Sequence, residues 1–224
     1  MARKIIFGTY DTDTTGLWTL TEWALEPAQV ITNLVDVPGR IKGPLDMSTV
    51  LTDGEPRFGS RTLVATFESS EGDRLARKAR IDTMVNWLTG WRMNIVLPDD
   101  VGRYLVGRIT SVEVLYNDLA HASVQVTAVC EPWLYKNAET VVTLTAATTE
   151  KTATLSNPGR LTVVPLLTIT GTSASVLIKF GTASWTLGPG TYQLPDMVLP
   201  QGDHLLTYSG TGSVKLTYRE AVLA

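Results

Sequence analysis

The side chains able to do chemistry are few and scattered. Two histidines, His121 and His204, and one cysteine, Cys130, are the only imidazoles and the only thiol in the chain. Cys130 closes an alternating run, Ser123-Val124-Gln125-Val126-Thr127-Ala128-Val129, that reads as a buried strand. A lone cysteine in that place is an inert small hydrophobe, because a reactive thiolate needs a base beside it. A Cys130–His121 dyad is the competing reading. Asp99-Asp100 reads as a hairpin turn and not as a carboxylate pair, since adjacent side chains on an extended chain point apart. The motifs G-x-S-x-G, H-E-x-x-H and C-x-x-C do not occur. Asp11-Thr12-Asp13-Thr14-Thr15-Gly16 with Glu22 has the spacing of a calcium loop, although Thr stands at its fifth position. Such a loop needs a helix on each side. Here Ile5-Ile6-Phe7 reads as a strand, and Pro27 cuts short anything helical after Glu22. The expectation is therefore a polar hairpin turn, with no catalytic residue, metal site or cofactor. The chain reads as a non-enzyme.

Composition agrees with an ordinary globular protein of one large or two small domains. The chain has 224 residues, 44% apolar and 18% charged, with a net charge of -3. That balance gives no electrostatic case for nucleic acid or an anionic membrane. One cysteine forms no internal disulfide, so stability does not call for an oxidising compartment. The start, Met1-Ala2-Arg3-Lys4-Ile5-Ile6-Phe7, is too short in its apolar part for a signal peptide, and no apolar run approaches a membrane span. A soluble, unaddressed protein is expected.

The elements that would position these residues are mostly strands. Lys4–Tyr10 and Gly16–Leu20 suggest an early hairpin, and residues 34–48, with two Pro and two Gly, a constrained loop. Arg61–Phe67 alternates with Leu63, Ala65 and Phe67 on one face. Met93–Leu97 and Arg103–Ile109 flank a second hairpin turn. One helix is predicted over about 71–89, opened by Ser70-Glu71-Gly72-Asp73 as a capping box and closed by Gly90. Ile81, Met84, Val85 and Leu88 share its apolar face. Arg74, Arg77, Lys78 and Arg80 make its front half basic, which reads as a solvated flank, a subunit contact or, without a glycine-rich loop, least well as a phosphate site.

Cys130-Glu131-Pro132-Trp133-Leu134-Tyr135 marks a change in composition. Residues 1–137 hold 31 of the 41 charged side chains, whereas residues 138–224 hold 17 threonines in 87 residues. Two domains are expected, 1–136 and 137–224, with Pro132, Trp133 and Tyr135 anchoring the boundary. Pro132 is expected to end a strand, and Trp133 to be largely buried. Beyond it, Leu161–Val164, Leu166–Thr170, Ser175–Phe180, Ser184–Leu187, Asp203–Tyr208 and Ser213–Tyr218 read as short strands of an antiparallel sandwich. The fold class is mainly β.

Across residues 30–136 the chain resembles the distal tail protein (Dit) family of long-tailed, non-contractile bacteriophages. The resemblance rests on Val37-Pro38-Gly39-Arg40, Gly43-Pro44-Leu45-Asp46-Met47-Ser48, Arg61-Thr62-Leu63, the basic helix with Gly90, Tyr104-Leu105-Val106-Gly107-Arg108, and Cys130 to Tyr135, in that order. Asn157-Pro158-Gly159, Pro165 and Ser213–Glu220 are similar to that family's second domain in a looser way. The resemblance implies an N-terminal β-sandwich carrying one helix and a C-terminal galectin-like sandwich. It also implies a homohexameric ring at the virion tail tip, assembled in the host cytoplasm. The ring's partners would be the tail tube protein, the tail-tip hub protein and, in some phages, receptor-binding proteins. With 87 residues after the boundary, little room is left for a long arm or an inserted carbohydrate-binding module. In a ring, Arg74, Arg77 and Arg80 would meet acidic groups of a neighbour. A carbohydrate-binding protein is the alternative, with Trp185 and Tyr192, and after them Tyr208 and Tyr218, as an aromatic platform. A tail tube subunit is a further one.

Overall fold

The computed structural model describes residues 4–14, 17–36, 38, 43–50, 52, 55–70 and 72–223. Thr15, Gly16, Val37, Gly39, Arg40 and Glu71, which enter the turn, resemblance and capping readings, lie outside the described residues. Two units separate within one strand, the first running up to Leu134 and the second comprising Tyr135–Val222.

In the first unit the strands are β1 (Ile6–Phe7), β2 (Tyr10–Asp11), β3 (Thr19–Leu25), β4 (Leu34–Val35), β5 (Leu45–Asp46), β6 (Arg61–Ser69), β7 (Arg92–Val96), β8 (Arg103–Asn117) and β9 (Ala122–Lys136). The single helix, α1, spans Arg74–Leu88. The main sheet follows the order β2-β1-β7-β8-β9-β6-β3. Alternation dictates its inner face: β6 buries Arg61, Leu63, Ala65, Phe67 and Ser69, while β9 opposes it with Val124, Val126, Ala128 and Cys130. Phe7 and Phe67 meet edge to face at 6.2 Å between ring centres. Ile81, Met84 and Leu88 close this core from α1. The curled sheet and its helix are the expected sandwich with one helix.

Four local expectations are corrected. The segment 4–10 does not pair with the segment at 16–20. Gly8, at φ +62, turns β1 back onto β2, and β3 pairs with β6 instead. The helix starts at Arg74, later than expected, because Asp73 itself is the N-cap and accepts from the Ala76 N–H at 2.8 Å. No acidic residue lies in its first turn. Pro132 does not end a strand. The β6 ladder ends at Cys130, two residues before Pro132, and β9 runs on through Pro132 to Lys136. Trp133 is half-buried, edge-on to Phe58 at 5.6 Å.

The second unit holds β10 (Thr140–Thr145), β11 (Lys151–Asn157), β12 (Leu166–Phe180), β13 (Ala183–Leu187), β14 (Gly190–Gln193) and β15 (Gly202–Tyr218). The last strand, β16 (Ala221–Leu223), pairs with β9 and so belongs to the main sheet. Two strands, β12 and β15, organise it. Each was read from sequence as two short strands; each is one long strand interrupted at its middle. Their register shifts between Thr170 and Ser175, opposite Gly210 and Gly212. A Cβ on Gly210 would stand 2.0 Å from the Ser175 carbonyl oxygen, so only glycine lets the strands cross this closely. The bulge separates two halves of one sheet. In one, β10 and β14 flank β15 and β12; in the other, β11 and β13 flank them. Both halves send side chains into one core, among them Leu167, Ile169, Val176, Ile178, Leu206, Val214 and Leu216. The result is an antiparallel two-layer sandwich. Asn157 is fully buried and ties the unit's turns together, donating to Leu161 and Leu199 and accepting from Gly159.

Candidate functional site

The residues singled out for chemistry lie apart from one another, and Cys130 is buried. Cys130 is 1% exposed, and burial pushes its thiol up to about 11. Its sulfur lies 2.6 Å from where a Cβ on Gly107 would stand, so the thiol fills the gap that a glycine on β8 leaves. His121 precedes the start of β9, about 30 Å of extended chain from Cys130 at the usual strand rise. Asp99-Asp100 forms the turn between β7 and β8, with the Asp100 N–H donating to Leu97 and the Arg103 N–H to Asp100. Asp11 accepts from Lys4 Nζ at 2.6 Å and from the backbone N–H groups of Asp13 and Thr14. Burial alone would raise its carboxyl, but the bond from Lys4, joined by those N–H groups, outweighs it and holds the pKa below the ordinary value. Strands β2 and β3 flank this turn. Among the described residues no three His, Cys, Asp or Glu side chains converge as metal ligands would.

The basic helix separates into residues of different kinds. Arg77 is 1% exposed, and its guanidinium donates to the carbonyls of Gly72 and Asp118, at 2.5 and 2.9 Å. It pins α1 to the turns around it and is not available to a neighbour, which corrects the expectation for that residue. Arg80 is half-buried and donates to Ser69 Oγ. Arg74 is exposed, beside Lys78, which pairs with Asp82 at 2.8 Å. In the second unit, Trp185 and Tyr192 pack against the core, Tyr192 donating to the Gly188 carbonyl; Tyr208 and Tyr218 are core residues. These four rings form no exposed platform.

What is exposed is apolar surface, and it is unevenly shared. Of 19 large hydrophobic side chains that stand exposed among the described residues, 16 belong to the first unit. Ten of them gather in three places. An arm from Val30 to Val50, carrying the small β4–β5 hairpin, exposes Val30, Ile31, Leu34, Val35, Leu45 and Val50. A groove of about 560 Å³ runs between α1 and β8, lined by Arg74, Leu75, Lys78, Ile81, Asp82, Val114 and Asn117. A second, of about 570 Å³, lies where α1 ends, between Phe7, Gly8, Trp87, Trp91 and Met93. Exposed tryptophans are costly to leave in water and are enriched at the centres of protein interfaces. Sequence reasoning missed Leu75, Trp87 and Trp91. The usable signal was that Leu75 and Trp87 fall off the Ile81–Met84–Leu88 stripe, so helix burial does not account for them.

These features define a class: a mainly β, two-unit protein whose first unit carries a large unpartnered apolar surface and no assembled catalytic centre among its described residues. Among solved structures the chain is similar to the crystal structure of the Dit protein (gp 19.1) of phage SPP1. The TM-score is 0.70 at 14% identity, over 98% of this chain and 99% of that one. That protein is described as a paradigm of the hub adsorption apparatus in phages infecting Gram-positive bacteria. No family model matches the chain, and no curated protein does. At this identity the likeness establishes the fold, and it is the fold expected from the sequence resemblance.

Proposed function

We propose that the chain is a structural protein of a phage tail tip whose first unit assembles into a ring, as a homohexamer joining the tail tube to the tail-tip hub. The observation that carries this reading is the end-to-end match in fold to SPP1 Dit, which leaves no part of either chain substantially unmatched. The lopsided apolar surface supports it, because a ring subunit needs two different faces that complement each other by rotation. In this reading the first unit, residues 1–136, builds the ring, and the second is a galectin-like sandwich borne by it. The protein works in the virion, with the tube and hub proteins as partners, after assembly in the host cytoplasm. Of the basic trio, Arg74 and Arg80 remain the candidates for contact with a neighbour. Negative-stain imaging of the purified chain should reveal six-membered rings that attach to tail tips lacking this protein. A monomer that never binds such tips would remove the reading. Sugar binding by Trp185 and Tyr192 draws no support from rings packed against the core. A glycan array with Trp185→Ala as control is its test.

A further inference from the structure

The two edges of β8 have different fates. One is paired with β9. Along the other, β7 covers only Leu105–Arg108, after which the Ile109 N–H donates to the Trp91 carbonyl. From Thr110 to Asn117 no strand among the described residues pairs with this outer edge. A free edge is a template for another strand, and soluble proteins usually guard it with charge, proline or a bulge. Thr110-Ser111-Val112-Glu113-Val114-Leu115-Tyr116-Asn117 has one charge and no proline, and Val114, Leu115 and Tyr116 are all exposed.

The groove between α1 and β8 lies beside this edge, and its lining describes what would fill it. Asn117 Oδ1 is buried without a donor, so an N–H is wanted there. Leu75, at 76% exposed, and Val114 offer apolar contact. Lys78 and Asp82 in the lining pair with each other, whereas Arg74 has no ion-pair partner among the described residues, so a carboxylate would be matched. The occupant is thus an extended segment with apolar side chains and an acidic residue. The chain itself carries one. In Val30-Ile31-Thr32-Asn33-Leu34-Val35-Asp36 four large apolar side chains are exposed, Asp36 ends the run, and β4 pairs with β5 on one edge only.

We propose that the outer edge of β8, with the α1 groove beside it, is a strand-addition site that takes the β4 arm of a second copy of this chain. Main-chain bonds to Thr110–Asn117 supply affinity, and the groove reads the arm's side chains and sets register. Edge and arm are different surfaces, so the contact is heterologous and repeats from copy to copy until rotation closes it. The proposal rests on the ring reading above and names the contact that builds the ring.

The test is cross-linking between two variants, Leu34→Cys and Leu115→Cys, both exposed positions, mixed at high protein concentration and oxidised. A disulfide joining one variant to the other is expected, and the doubly substituted chain should give a ladder ending at the ring. Asp36→Lys and Arg74→Glu, checked for an unchanged thermal transition, should each weaken self-association at least tenfold at low salt, and the two together should restore it. A ring that forms without the cross-link overturns the strand-addition site and spares the ring reading. Neither ring nor cross-link overturns both.

Discussion

At the scale of residues, the side chains that looked reactive are packing and tethering pieces, and their energetics can be measured as such. Gly107 and Cys130 share one volume across β8 and β9. Gly107→Ala should therefore destabilise the protein by about 1–3 kcal/mol through overpacking, read from chemical denaturation. Cys130→Ala should relieve part of that cost, so the double-mutant cycle should give a coupling well away from zero. Burial also fixes the direction of a pH effect. The folded thiol titrates near 11 against an ordinary value of 9.0, so the folded chain holds its proton longer than the unfolded one. This contribution to stability is full below about pH 9 and is lost as the pH climbs toward 11. Cys130→Ala should flatten that alkaline decline. Arg77 is the residue where sequence logic failed most clearly. A helix arginine three positions from Arg74 and Arg80 has no local mark of burial; the carbonyls of Gly72 and Asp118 that hold it are brought there by the tertiary fold.

At the scale of elements, alternation was legible wherever a strand lies half-buried beside partners of its own length. The inward set of β6, the hairpin of β7 and β8, and the Ile81–Met84–Leu88 face of α1 could be read directly. What could not be read was continuity. Gly171, Gly210 and Gly212 look the same in sequence whether they end a strand in a turn or bend one at a bulge. Only the partner strand decides, and here it joins four of the six expected short strands into β12 and β15. The expected strand Leu161–Val164 is no strand and makes only a single bridge, from Val163 to Leu199. Strands β11 and β14 are short of large apolar residues and resemble loops, whereas β10, Thr140-Val141-Val142-Thr143-Leu144-Thr145, is rich in the β-branched residues that strands favour and was legible. The bulge should be unforgiving. Gly210, at φ +122 and hard against Ser175, tolerates no side chain, and Gly210→Ala should cost about 3 kcal/mol or more. The helix start is gentler: Asp73→Ala removes one cap and should cost about 1 kcal/mol by thermal melting.

At the scale of the whole molecule, the division of labour lies in the surface. The second unit hides its aromatic rings and exposes threonine-rich faces, whereas the first unit leaves tryptophan, leucine and valine in water. The candidate interface was legible in the sequence only as a basic helix flank. Its apolar component was invisible, because the exposure of Trp87, Trp91 or Leu115 follows from what fails to cover them. If the first unit carries assembly, Trp87→Glu with Trp91→Glu should shift the mass distribution toward monomer, while Leu205→Glu in the second unit should leave it unchanged by mass photometry.

The partition of tryptophans gives the protein an optical asymmetry. Five of the six, Trp18, Trp23, Trp87, Trp91 and Trp133, belong to the first unit, and Trp185 is alone in the second. Indole emission therefore reports mainly on the first unit. Within the first unit, Trp18 is sealed from water while Trp87 and Trp91 stand in it, so the native spectrum is a composite of a blue and a red component. Covering the exposed pair would shift the red component toward the blue without unfolding anything, and the loss of iodide quenching would follow association in an unlabelled protein in real time.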